Sequence, residues 1–86
     1  MIKLEYGNDK NRKLVSECTS IKGAFSKMDE YLKDIDYEPL YYRVTLPNEE
    51  DEEMELWVDF GSYINFFYIN NFSDNDYRFW LRDNEE

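Results

Sequence analysis

The chain has 86 residues and a formal net charge of −10, from 20 Asp and Glu against 10 Lys and Arg, with no His and one Cys. Lacking His, it has no Ser–His or Cys–His catalysis and lacks the commonest zinc ligand. The lone Cys18 excludes disulfides within the chain and Cys-rich metal sites, so neither a cofactor nor a metal is expected. Sixteen aromatic residues beside fifteen Ile, Leu and Val are too many for a disordered acidic tail.

Residues 1–86 read as one domain, near the lower limit of unaided folding, with 83–86 a frayed tail. No apolar run has membrane length and the first residues form no signal-peptide core, so a cytoplasmic protein without a membrane partner is expected. The unpaired Cys18 fits a reducing compartment. Charge is unevenly spread. Residues 1–33 carry seven basic and five acidic residues, whereas residues 34–86 carry Arg43, Arg78 and Arg82 against fifteen acids.

Ile2 to Tyr6 alternates as a short strand, and Gly7-Asn8-Asp9-Lys10-Asn11 is a hairpin turn because Gly and Asn tolerate positive φ. Lys13 to Thr19 is the returning strand. In 20–35, Ile21, Ala24, Phe25, Met28, Leu32 and Ile35 form one stripe of helical period, with Ser20 placed to cap the N-terminus. Gly23 suggests close packing of this helix on a sheet. Pro39 prevents the helix from continuing. Leu40 to Leu46 and Met54 to Phe60 then alternate with period two, which predicts a hairpin with an acidic tip from Pro47 to Glu53. A further strand is expected within Tyr63–Ile69 and a last one at Tyr77–Arg82. The fold class expected is therefore α+β: a single, mostly antiparallel sheet of four to six strands with one helix packed on one face.

One helix covers one face of such a sheet. Tyr42, Val44, Leu46, Leu56, Val58 and Phe60 are expected to face it. Tyr41, Trp57, Phe66, Tyr68 and Trp80 are left for the other face, among Arg43, Asp59, Arg78 and Arg82. An aromatic sheet face can stack unpaired bases or anchor a protein interface. Binding to nucleic acid needs positive potential along the backbone path, which the acidic strand region lacks, so direct nucleic-acid contact is not expected. Cross-strand aromatic packing is the purely structural alternative.

Other chemistries find no matching parts. Glu49 to Glu53 and Asp74-Asn75-Asp76 lack the ligand spacing of a calcium loop, and the strand region has no lysine for a nuclease site. Twenty acids always yield some carboxylate pair, which makes a glycosidase reading uninformative. Gly7, Gly23 and Gly61 are isolated, so there is no phosphate loop, and Cys18 reads as a small buried hydrophobe. A non-enzymatic binding protein is expected.

The Tyr6-Gly7-Asn8-Asp9 turn, the amphipathic helix from Ser20 to Asp34, and Val58-Asp59-Phe60-Gly61-Ser62 leading into Phe66-Phe67-Tyr68-Ile69 give the chain a recognisable character. Its many Asn, Lys, Ile and Tyr residues suit an AT-rich genome. In this overall style, rather than in any motif, it resembles small acidic bacteriophage proteins such as DNA-mimicking inhibitors and anti-CRISPR proteins. The resemblance implies a phage-derived protein working in a bacterial host cell, but no fold and no site residue. Together with the acidity it leads to a protein that occludes a basic, nucleic-acid-binding surface of a partner. Glu49, Glu50, Asp51, Glu52, Glu53, Glu55 and Asp59 are the candidate contacts, with Trp57 as an apolar anchor. The alternatives are a module that self-associates into a homo-oligomer through aromatic strands, an immunity-type protein against a cationic toxin, and acidity that only confers solubility.

Overall fold

The computed structural model describes residues 1–8, 10–45 and 54–83. Strands β1 (Ile2–Asn8), β2 (Asn11–Cys18), β3 (Arg43–Thr45), β4 (Leu56–Asp59) and β5 (Phe66–Asn70) join helices α1 (Ile21–Asp34) and α2 (Asp74–Asp83). The five strands form one antiparallel sheet in the order β2-β1-β5-β4-β3 with α1 against one face, an α+β fold.

The two hairpins read from the sequence, β1–β2 and β3–β4, are both present. Between β1 and β4 lies β5, which pairs with both. Its central position explains its composition. Phe67, Tyr68 and Ile69 are consecutive and all buried, because both faces of this strand are covered. The helix-facing layer is Ile2, Leu4, Leu56, Val58, Phe60, Phe67 and Ile69, packed with Ile21, Ala24, Met28 and Leu32 of α1. Cys18 is buried as expected. Ser20 caps α1, its hydroxyl accepting the Gly23 N–H at 3.0 Å. A Cβ at Gly23 would meet that same hydroxyl at 3.2 Å, so the glycine accommodates the cap rather than the sheet.

Three expectations are corrected. Tyr77–Arg82 is not a strand but part of α2. Ser73 and Asp76 cap each other: the Asp76 N–H donates to Ser73 Oγ at 3.1 Å and the Ser73 N–H to Asp76 Oδ2 at 3.0 Å. Arg78 also pairs with Asp74 one turn earlier, at 2.9 Å. Trp80 accordingly leaves the sheet and stacks on Phe25 of α1, with centroids 5.8 Å apart and planes at 5°. The strand expected from Leu40 starts only at Arg43. The Leu40 N–H does donate to the Phe60 carbonyl at 3.2 Å, but Phe60 lies one residue past the end of β4, and the ladder proper starts only where Arg43 pairs with Asp59. Tyr42 lies on the helix-facing side as expected, its hydroxyl donating to Asp29 Oδ1 of α1 at 3.3 Å, but it is half exposed rather than part of the buried core. Leu46 and the tail from 84 fall outside the described residues, as do Pro47 to Glu53.

Candidate functional site

Of the eight residues expected to contact a partner, Glu49, Glu50, Asp51, Glu52 and Glu53 lie outside the described residues. The remaining three, Glu55, Trp57 and Asp59, alternate along β4 and its approach, and so share the face of the sheet opposite α1. They play different parts there.

Glu55 is held by an internal network. Its Oε2 lies 2.6 Å from Arg12 Nη1 of β2 and accepts from Asn70 Nδ2 at 3.1 Å, while its Oε1 accepts from Trp57 Nε1 at 2.9 Å. Arg12 also lies 3.8 Å from Glu5 Oε1, and its guanidinium covers the Tyr68 ring at 3.7 Å from the centroid. Trp57 meets Tyr68 edge-on, with centroids 5.6 Å apart. An aromatic residue expected to be open is thus sealed beneath an arginine and an indole, which is why Tyr68 is only 1% exposed. A carboxylate with three internal partners has little capacity left for an external cation.

Asp59 is partly engaged as well. Its Oδ1 accepts the Gly61 N–H at 3.0 Å and its Oδ2 lies 3.4 Å from the Tyr41 hydroxyl. It faces Arg43 across the β3–β4 ladder, and the Arg43 guanidinium lies 5.5 Å from the Tyr41 ring centroid. What remains available is aromatic. Trp57 is 43% exposed and Tyr41 45% exposed, set among Arg43, Thr45 and Asp59.

Sequence reasoning missed a second surface. From Asp34 to Tyr42 the chain runs Asp-Ile-Asp-Tyr-Glu-Pro-Leu-Tyr-Tyr, and every residue except Pro39 is exposed. The Tyr37 N–H donates to the Leu32 carbonyl at 2.8 Å and the Asp36 N–H to the Lys33 carbonyl at 3.1 Å, a Schellman closure of α1. Asp36 occupies its left-handed position, with φ of 56°. The turn leaves an open groove of about 610 Å³ lined by Asp29, Leu32, Lys33, Asp36, Tyr37, Glu38 and Pro39. Its acid–aromatic alternation was visible in the sequence but was overshadowed by the denser run at Glu49–Glu53.

Along the outer strand β2 a register break opposite Leu4/Glu5 leaves Val15 unmatched, a bulge of the kind that hinders pairing at a sheet edge.

No protein-family model, curated protein or solved structure matches the chain. Among the described residues no helix is long and apolar enough to cross a membrane, and no group of His, Cys, Asp and Glu is arranged to hold a metal ion.

Proposed function

We propose that this protein is a non-enzymatic binding protein that docks on a basic surface of a partner protein. The observation that supports this most directly is the half-exposure of Trp57 and Tyr41 on the face opposite α1. Tyr, Trp and Arg are the residues enriched at binding hot spots, and here Trp57 and Arg43 stand on the β3–β4 ladder with Tyr41 two residues before Arg43. The excess of carboxylates would steer a basic partner toward them and accelerate association. Self-association through strands is the weaker reading, because a bulge interrupts the β2 edge and two copies at −10 repel each other.

The test is affinity capture from a bacterial lysate at low and high salt, with and without competing double-stranded DNA. The expected result is a nucleic-acid-binding protein that salt and DNA each displace. Recovery of the protein's own chain alone would overturn the reading in favour of self-assembly.

A further inference from the structure

We propose that the turn between β4 and β5, together with Leu40, is an apolar plug that seats in a cleft of the partner protein rimmed by Lys and Arg. The inference rests on the binding-protein reading and names a second contact that such a partner would make.

Three large side chains with apolar surface stand out in one part of the molecule. Tyr63 is 98% exposed, and Leu40 and Ile64 are each more than two-thirds exposed. Single exposed apolar residues are ordinary, but a group of them marks a contact surface. The turn is built to hold them. A Cβ at Gly61 would come within 3.0 Å of the Leu40 side chain, so the glycine leaves room for Leu40 to lie against the turn. Ser62 Oγ accepts the Ile64 N–H at 3.4 Å and the Asn65 N–H at 3.1 Å, which fixes the backbone that carries Tyr63 and Ile64. A turn held in this way loses little freedom on docking. The plug also adjoins the Trp57 and Tyr41 surface. Asp59 links the two, accepting the Gly61 N–H at 3.0 Å and lying 3.4 Å from the Tyr41 hydroxyl.

Charge decides what the plug enters. Residues 36–43 and 57–65, which build both patches, carry Asp36, Glu38 and Asp59 against Arg43 alone. Among the described residues neither Glu38 nor Asp59 makes an ion pair. An anionic bilayer is held by Lys and Arg beside the inserted apolar residues, and this acidic setting would be repelled from it. A second copy would bring the same acidic rim and a further −10 of charge. An apolar cleft with a basic rim complements both the centre and the edge of the surface.

The test introduces Tyr63→p-benzoyl-phenylalanine into the full chain and irradiates it in a bacterial lysate at low and high salt. Cross-linking is expected at low salt only, to a partner peptide with apolar residues flanked by Lys or Arg. The double variant Tyr63→Ser/Ile64→Ser should bind that partner about tenfold or more weakly. Its urea midpoint should be unchanged, since neither side chain is buried. Cross-linking to lipid, to a second copy of this chain, or to nothing would overturn the plug. Unchanged affinity of the double variant for a salt-displaceable captured partner would also overturn it, leaving the binding-protein reading intact. Capture of the protein's own chain alone would overturn both.

Discussion

Arg12 covers the ring of Tyr68, with its guanidinium carbon 3.7 Å from the ring centroid, on the face of the sheet that no helix covers. This contact lets a central strand bury three consecutive residues although α1 lies on only one side. The guanidinium is held in place by Glu55 at 2.6 Å. With both side chains about one-fifth exposed, the pair is less screened than a surface ion pair.

Arg12→Ala should therefore destabilise the fold by about 2 kcal/mol, through lost cover for Tyr68 and an unpaired Glu55. Glu55→Gln should cost about 1 kcal/mol, and the two together less than their sum. Urea unfolding of the double-mutant cycle measures this coupling. Strict additivity would show that the contact is incidental.

Trp57 differs in that it is 43% exposed and covers Tyr68 only by its edge. Trp57→Ala should cost no more than about 1 kcal/mol in stability while lowering affinity for the captured partner by about tenfold or more. Unfolding and surface-plasmon binding of the same variant separate the two effects. A large stability loss with unchanged affinity would assign Trp57 to the fold alone.

The β1–β2 turn depends on one glycine. Gly7 has φ of 141°, and a Cβ there would collide with the Asn11 carbonyl. Gly7→Ala should cost about 3 kcal/mol or more, seen as a large fall in the urea midpoint. Asp36 is the opposite case. Asp36→Gly should raise stability by about 1 kcal/mol, because it removes both a left-handed non-glycine residue and an anion from the end of α1.

Alkaline pH should weaken the fold through two tyrosines. Burial raises the hydroxyl pKa of Tyr6, with Tyr31 and Tyr37 adding to it and a hydrogen bond with Asn65 partly opposing. Burial also raises Tyr42, helped by the neighbouring Asp29. A raised pKa in the folded state means that the native protein holds its proton more tightly than the unfolded chain. Stability is therefore full below about pH 10 and declines as pH rises through the folded-state values. Tyr6→Phe and Tyr42→Phe should each flatten this decline in thermal melts between about pH 9 and 11. Parallel profiles for wild type and variants would remove these hydroxyls from the explanation.

Local chemistry made much of the fold legible. The stripe from Ile21 to Leu32, the Ser20 cap and the Gly7 turn are short-range features whose physics lies within a few residues. The same reasoning misplaced Tyr77–Arg82, where Tyr77, Phe79 and Leu81 alternate like a strand while Tyr77, Trp80 and Leu81 also fit a helix. The Ser73–Asp76 cap decides between the periods, and it could have been read from Ser-Asp-Asn-Asp.

The candidate site was less legible, because exposure and partnership are long-range properties. Glu55, Trp57 and Asp59 were correctly placed on one face, since alternation in a strand is local. Nothing local revealed that Glu55 belongs to Arg12, 43 residues away, or that Tyr68 is covered. Composition, periodicity and capping by themselves determined the α+β class, the two hairpins and the acidity. The insertion of β5 between β1 and β4, the stacking of Trp80 on Phe25 and the groove beside Asp36 were decided only by tertiary structure. They depend on which distant surfaces bury each other best, a choice no single segment contains.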